Sequence, residues 1–323
     1  MTAPEAVTDE AGGIAAETSH STSIVAAVPH RLDLVGVLLV AFGAVAFSGK
    51  AIIVKLGFRL GADAITLLAL RMAVALPFFL LIGVWAARRA PALARGDRWR
   101  IVALGVCGYY LASLLDFLGL AYISATLERV ILYLTPTFVL LFGALLAHRR
   151  PTRRQLVALA ISYLGVLLAF GHDLGIAGGD VVRGGLLVLG SAVSYAVYLY
   201  GSGEIVARVG AVRLTAYAST VASVLCIGQY LLLEPSGLPT LPGAVYGLSL
   251  LNGTVCTVLP VLATMIGVRR IGSGPASQIG MIGPVSTIVL SLLILHEPMG
   301  PWQIAGTLLV VAGVLSMSRA KVV

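Results

Sequence analysis

The sequence predicts an all-α polytopic membrane protein with ten transmembrane helices in two inverted five-helix repeats. Three observations lead there. The 323 residues are 59% hydrophobic and 11% charged, with a mean hydropathy of +0.99, whereas soluble domains average about 25% charged residues. The apolar residues come in runs of about 20, enough to cross a ~30 Å hydrocarbon layer at about 1.5 Å per residue. The two halves also match each other at one ungapped offset. Disordered, disulfide-rich and nucleic-acid-binding classes fall away here, so no nucleic acid is expected as a partner.

Residues 1–33 precede the first apolar run. Glu5, Asp9, Glu10 and Glu17 stand among Ser, Thr and Ala, with no Lys or Arg before residue 31. That composition lacks the basic start and apolar core of a secretory signal and reads as a disordered cytoplasmic tail. Apolar windows follow at about 34–57, 64–86, 101–122, 127–147, 155–171, 183–203, 212–233, 243–266, 275–295 and 301–318. Leu, Ala, Val and Gly dominate them without alternation, which argues for helices rather than the strands of an outer-membrane barrel. The loops between are too short for a soluble domain. Helices 1–5 form a first repeat over 34–171, helices 6–10 a second over 183–318, and 319–323 is a short cytoplasmic end.

Orientation follows from the basic residues. With the N-terminus inside, the inside segments hold Arg31; Arg88, Arg89, Arg95, Arg98 and Arg100; Arg149, Arg150, Arg153 and Arg154; Arg208 and Arg213; Arg269 and Arg270; Arg319 and Lys321. Only Arg59 and Arg183 fall outside. The positive-inside rule therefore places both termini in the cytoplasm. The excess of Arg over Lys suits a GC-rich bacterial genome, hence a bacterial inner membrane. Cys107, Cys226 and Cys256 fall inside separate helices and read as small packing residues.

The internal repeat has an offset of 148 residues. Gly36, Leu38, Leu39, Val40, Ala44 and Val45 match Gly184, Leu186, Leu187, Val188, Ala192 and Val193. Gly105 matches Gly253, Gly119 matches Gly267, Pro136 matches Pro284, His148 matches His296 and Gln155 matches Gln303. Five helices per half is an odd number, so the second half enters the membrane from the other side. The mismatches agree with inversion: Arg149 corresponds to Glu297, while Ala121 and Tyr122 correspond to Arg269 and Arg270. Inverted repeats around a midplane site are the architecture of many secondary transporters. A duplicated, inert membrane scaffold is the alternative.

The segment from Leu118 to Val139 (LGLAYISATLERVILYLTPTFV) resembles the third-to-fourth-helix signature of EamA-type carriers in the drug/metabolite transporter superfamily. So does IGPVSTIVLSLLILHEP from Ile282, followed by Gln303 and Gly306. Lys50, Lys55, Leu70 and Arg71 look like that family's first-repeat positions. The similarity covers about residues 34–319. It implies ten helices in two inverted units, with a cavity bounded mainly by helices 1, 3, 4, 6, 8 and 9 and with helices 5 and 10 peripheral. It also implies a carrier of small metabolites, often amino acids or related compounds. The glutamate usual after the fourth helix is Arg149 here, while Glu297 keeps it in the second half.

Charge inside a bilayer costs roughly 2.5–3.5 kcal/mol per Lys, Arg or Asp at a helix centre, which makes such residues functional candidates. Lys50, Arg71 and Asp116 all lie near 10 Å from the predicted outer face at about 1.5 Å per residue. Together they read as an outer gate or carboxylate pocket, with Asp116 a proton carrier, or as a static bridge between helices. Arg71, on a peripheral helix, reads as a structural or gating charge. Glu128 and Arg129 start helix four, where an acid suits the helix dipole and caps it. The repeat equivalents of Lys50, Arg71, Asp116 and Glu128 are uncharged: Tyr198, Ser219, Thr264 and Ala276.

Softer binding candidates are Tyr133 and Tyr198, with Ser194, Asn252, Thr254, Thr257, Ser277 and Gln278. Asn252 and Gln278 stand out because a buried amide needs partners, whereas Ser and Thr often bond their own backbone. Pro136 and Pro284 each free a carbonyl one turn earlier and suggest hinges. Ala158/Gly165 and Gly306/Gly313 form small-residue stripes on helices 5 and 10, offering a contact for a second copy in a homodimer.

Rival functions have weaker support. Gly43 to Lys50 fails as a phosphate loop, because five residues separate its glycines and Ala51 replaces the magnesium-binding Ser or Thr. No HExxH, GxSxG or protease-like acid pair points to an enzyme, and no cofactor or metal is expected. A passive channel would share the same repeats. The reading is a secondary carrier working by alternating access, in the direction of export, with a small-molecule substrate and the lipid bilayer as partners.

Overall fold

Ten helical stretches follow one another where the apolar windows place them. The computed structural model describes residues 33–146, 152–177, 179–234, 240–280, 282–297 and 300–318. The expected tail up to residue 32 and the chain end 319–323 lie outside the described residues. Helix α1 is Leu34–Arg59 and α2 Ala64–Ala87; α3 is Arg95–Leu120 and α4 Ala125–Leu146. Helices α5 (Arg153–Ala177), α6 (Gly179–Val209) and α7 (Ala211–Leu233) follow. Then come α8, Gly243–Ile271, α9 in pieces Ser273–Gly280, Ile282–Leu290 and Ser291–Leu295, and α10, Pro301–Ser318. No strand occurs among the described residues. Seven of these helices are long and apolar enough to cross a membrane, and Val285–Leu295 and Pro301–Gly313 are shorter apolar stretches.

Several helices outrun their apolar windows. α3 starts at Arg95 and α6 ends at Val209, because polar turns continue a helix past the hydrocarbon at no solvation cost. Asp63 caps α2, accepting from Ile65 N at 2.8 Å and Thr66 N at 3.0 Å. Gly210 (φ +85°) and Gly272 (φ +83°) reverse the chain between α6 and α7 and between α8 and α9. A left-handed backbone at a one-residue turn favours glycine.

The packing list maps onto itself when each helix is exchanged for the one five later. α1 packs on α8 and α9, as α6 packs on α3 and α4; α2 pairs with α7 and α5 with α10. Repeat-related glycines sit at related crossings. A methyl added at Gly119 would lie 2.9 Å from the Gly184 carbonyl oxygen, and one at Gly267 would lie 3.0 Å from that of Gly36. Helices approach this closely only over small residues. The fold is thus two inverted five-helix repeats sharing one core.

The small-residue stripes of α5 and α10 correct one expectation. A methyl on Gly165 would meet the Gly306 carbonyl oxygen at 2.5 Å, and one on Gly313 would meet that of Ala158 at 2.7 Å. The stripes face each other within the chain and are not free for a second copy. Outward-facing Leu81, Leu164, Leu232 and Leu308 are exposed, as suits a surface solvated by lipid.

The bundle has two unlike ends. At the basic end, where α1 starts, Arg208 pairs with Asp97 at 2.9 Å and Arg270 with Asp33 at 2.8 Å. At the opposite end Val54, Leu67, Phe117, Leu120, Ala125 and Leu295 form one buried apolar cluster.

Candidate functional site

Four charges within the helices line one cavity. Lys50 (α1), Arg71 (α2), Asp116 (α3) and Arg129 (α4) border a chamber of about 430 Å³ in the middle of the bundle. Lys50 Nζ donates to Asp116 Oδ2 and lies 3.3 Å from Glu128 Oε1. Asp116 and Glu128 converge on one ammonium, and all three side chains are at least nine-tenths buried. Arg71 Nε donates to Thr257 Oγ1 at 2.8 Å, and its guanidinium stands 5.4 Å over the Phe117 ring. Thr257 in turn donates to the Asn252 carbonyl at 2.7 Å. A buried charge survives when paired and hydrogen-bonded, and this network supplies most of those bonds. Arg71 Nη1, Asp116 Oδ1, Glu128 Oε2, Arg129 Nε and Arg129 Nη2 remain without a hydrogen-bond partner among the described residues.

Glu128 is not the cap of α4. Ser124 Oγ accepts from Leu127 N at 3.1 Å, and Glu297 Oε2 accepts from Ala125 N at 3.1 Å. Glu128 is fully buried and faces Lys50. The sequence carried a signal for this: a capping box needs the acid three residues after the serine, and that position is Leu127.

A second chamber, about 550 Å³, continues from the first toward the basic end, past Met265, Val268 and Ala276. Phe47, Tyr109, Arg129, Tyr133 and Val261 border both chambers and form the neck between them. Thr264 and Ala276, the repeat equivalents of Asp116 and Glu128, line the second chamber. Asp116 and Glu128 thus have uncharged counterparts bordering the second chamber, whose lining still includes the charge of Arg129.

The opposite end is shut. Arg59 Nη2 donates to the Leu295 carbonyl at 2.6 Å. His296 takes a left-handed backbone (φ +54°), uncommon outside glycine. It turns the chain so that Glu297 reaches both Ala125 N and Ser291 Oγ, the latter at 2.6 Å.

Other sequence candidates fall variously. Tyr133 and Pro136 line the first chamber, and α4 breaks at 133–134, one turn before the proline. The Leu132 carbonyl freed by Pro136 accepts from Thr135 Oγ1 at 2.7 Å. Tyr198 is buried behind Tyr109 and Tyr195, its hydroxyl 3.4 Å from that of Tyr109. Asn252 is buried and reaches the site only through Thr257. Ser194 and Thr254 donate to backbone carbonyls of Cys107 and Leu250, both at 2.7 Å. The side chains of Ser277, Gln278 and Pro284 lie outside the described residues. Tyr109 and Tyr195 line the chamber without having been singled out. Tyr109 sits in a π-helical stretch, Val106–Leu111, whose repeat equivalent, Thr254–Val258, is π-helical too and carries Thr257. Such a bulge shifts the face that side chains present, which hides Tyr109 from a 3.6-residue period.

With this geometry in view, the comparisons with known proteins are coherent. The model of the EamA-like transporter family matches residues 34–171 and again 182–319. The chain is 32% identical over 277 residues to the uncharacterized transporter YcbK of Bacillus subtilis, covering 84% of this chain and 88% of that one. An uncharacterized transporter of Archaeoglobus fulgidus is 26% identical, with 80% and 89% covered. A solved crystal structure superposes with a TM-score of 0.61 at 19% identity, covering 87% of this chain and 96% of its own, a likeness of fold.

Proposed function

The chain belongs to the EamA-like transporter family, and from that premise we propose that it is a secondary carrier that exports small carboxylate-bearing metabolites, amino acids or related compounds, by alternating access. One observation carries the reading. A charged layer stands at the blind end of a central cavity whose far end is packed shut, while the cavity continues toward the basic end. The basic end is cytoplasmic by the positive-inside rule, so both chain termini lie inside, in a bacterial inner membrane, and this conformation faces inward. The inverted repeats supply the second conformation, since exchanging the shapes of the two halves closes one end and opens the other.

The test is counterflow in proteoliposomes. Vesicles preloaded with unlabelled solute and diluted into labelled solute should transiently accumulate label above its outside concentration, for some member of a panel of amino acids and organic acids. A flux that rises linearly with concentration and shows no counterflow would identify a passive channel. Asp116→Asn should abolish proton-driven accumulation and spare exchange; unchanged accumulation would remove Asp116 from coupling.

A further inference from the structure

We propose that Arg129 binds the acid group of the solute, with Arg71 behind it, and that the solute is a net monoanion: a monocarboxylate with a flat apolar body. The proposal rests on the carrier reading above; for the same cavity it names the recognising residues and narrows the solutes from amino acids to related carboxylates without an ammonium.

Lys50 is already engaged, its ammonium shared between Asp116 and Glu128. Arg129 is not. Its Nε and Nη2, the side edge of the guanidinium, have no hydrogen-bond partner among the described residues. The nearest carboxylate oxygen, Glu128 Oε2, is 3.8 Å from Nε, too far for a hydrogen bond. Arg71 is nine-tenths buried and its Nη1 is likewise unpartnered. Unpaired donors on buried cations are costly; these atoms are covered in this conformation, and a guanidinium that turns its edge to the chamber meets a carboxylate with two parallel bonds. Both arginines border the deep chamber, and Arg129 also borders the outer one. A solute passing the neck therefore meets Arg129 first.

Charge bookkeeping sets the ligand class. With its carboxylates ionised, the layer holds three cations (Lys50, Arg71, Arg129) and two anions (Asp116, Glu128), one positive charge in excess. A monoanion balances it. A zwitterion does not, because its ammonium would compete with Lys50 for Asp116 and leave the excess in place. Phe47, Tyr109 and Tyr133 surround the neck beside Arg129, a lining for a flat apolar body. The outer chamber carries neither Asp116 nor Glu128, while Arg129 borders it too.

The experiment is equilibrium binding to the full chain, purified into lipid nanodiscs, of three probes with one carbon skeleton: 3-phenylpropanoate, L-phenylalanine and 3-phenylpropylamine. The acid should bind, the zwitterion more weakly and the amine not at all. Arg129→Gln should weaken the acid roughly tenfold to a hundredfold, the worth of a charge-assisted bond, and Arg129→Lys should restore part of the loss. Failure of wild type to bind the acid, tighter binding of the zwitterion or amine, or wild-type affinity in a monodisperse Arg129→Gln protein would each overturn the assignment. If Arg129→Gln does not fold, Arg129→Lys decides: it keeps the charge without the fork, so unchanged affinity overturns the proposal and a several-fold loss sustains it. Binding needs no gradient. Acid binding without counterflow would refute the carrier reading alone, and counterflow confined to neutral or cationic solutes would refute this assignment alone.

Discussion

Replacing Lys50 by Gln removes the cation on which two buried carboxylates converge. At 3.3 Å and an effective dielectric near 20, the Lys50–Glu128 attraction alone is about 5 kcal/mol. The three side chains are 7%, 4% and 0% exposed, so solvent screens little of it. Desolvation offsets much of that gross attraction, but the substitution also leaves Asp116 and Glu128 facing each other without a counter-ion. Removing one partner of a buried pair costs about 3–5 kcal/mol. Gln keeps one donor, so about 3 kcal/mol is expected. Lys50→Gln with Asp116→Asn relieves the repulsion and should recover about half of it. The assay is reversible unfolding in mixed dodecyl maltoside and SDS micelles, followed by fluorescence of the three tryptophans. A cost below about 1 kcal/mol for Lys50→Gln, or a double variant no more stable than the single one, would refute the shared-ammonium arrangement.

Three further outcomes are expected. Glu297→Ala removes the acceptor for Ala125 N and Ser291 Oγ; it should cost about 1 kcal/mol, as lost caps do, and speed thiol labelling of Leu295→Cys, whereas an unchanged labelling rate would mean Glu297 does not hold that end. Gly119→Val places a side chain 2.9 Å from the Gly184 carbonyl oxygen, so the α3–α6 crossing must widen at a cost of about 1–3 kcal/mol; unfolding unchanged from wild type would contradict the close approach. The Arg270 guanidinium holds the Asp33 carboxyl below its ordinary value of 3.8; that contribution is present above the ordinary value and lost as pH falls through the lowered one. Wild type should therefore exceed Asp33→Asn slightly at neutral pH, and the two melting curves should merge in acid; a gap that persists in acid would argue against the pair.

The helices and their inversion were legible because hydropathy, basic-residue placement and a fixed repeat offset are one-dimensional properties. Lys50, Arg71 and Asp116 announced themselves for the same reason: a charge within an apolar run is expensive enough to notice. The partnership was less legible. Glu128 sits at a helix start, where an acid has an ordinary role; its spacing from Ser124 argues against a capping box, but only the third dimension shows it turning inward to Lys50. Tyr198 was a binding candidate, yet Tyr195 lines the chamber and Tyr198 stands behind it. Small-residue stripes fit any close helix contact, so their pattern could not choose between a partner within the chain and one outside it.

The most direct test of an inverted-repeat cavity serving both faces of the membrane is a single cysteine at Ser113, which lines the deep chamber, in a background without Cys107, Cys226 and Cys256. A membrane-impermeant thiol reagent should reach it from either side of the bilayer. Cross-linking Ala125→Cys to Glu297→Cys should then abolish labelling from the far side and leave labelling from the basic side intact. Reactivity from one side only in the unlocked protein, or from both sides in the locked one, would contradict alternating access.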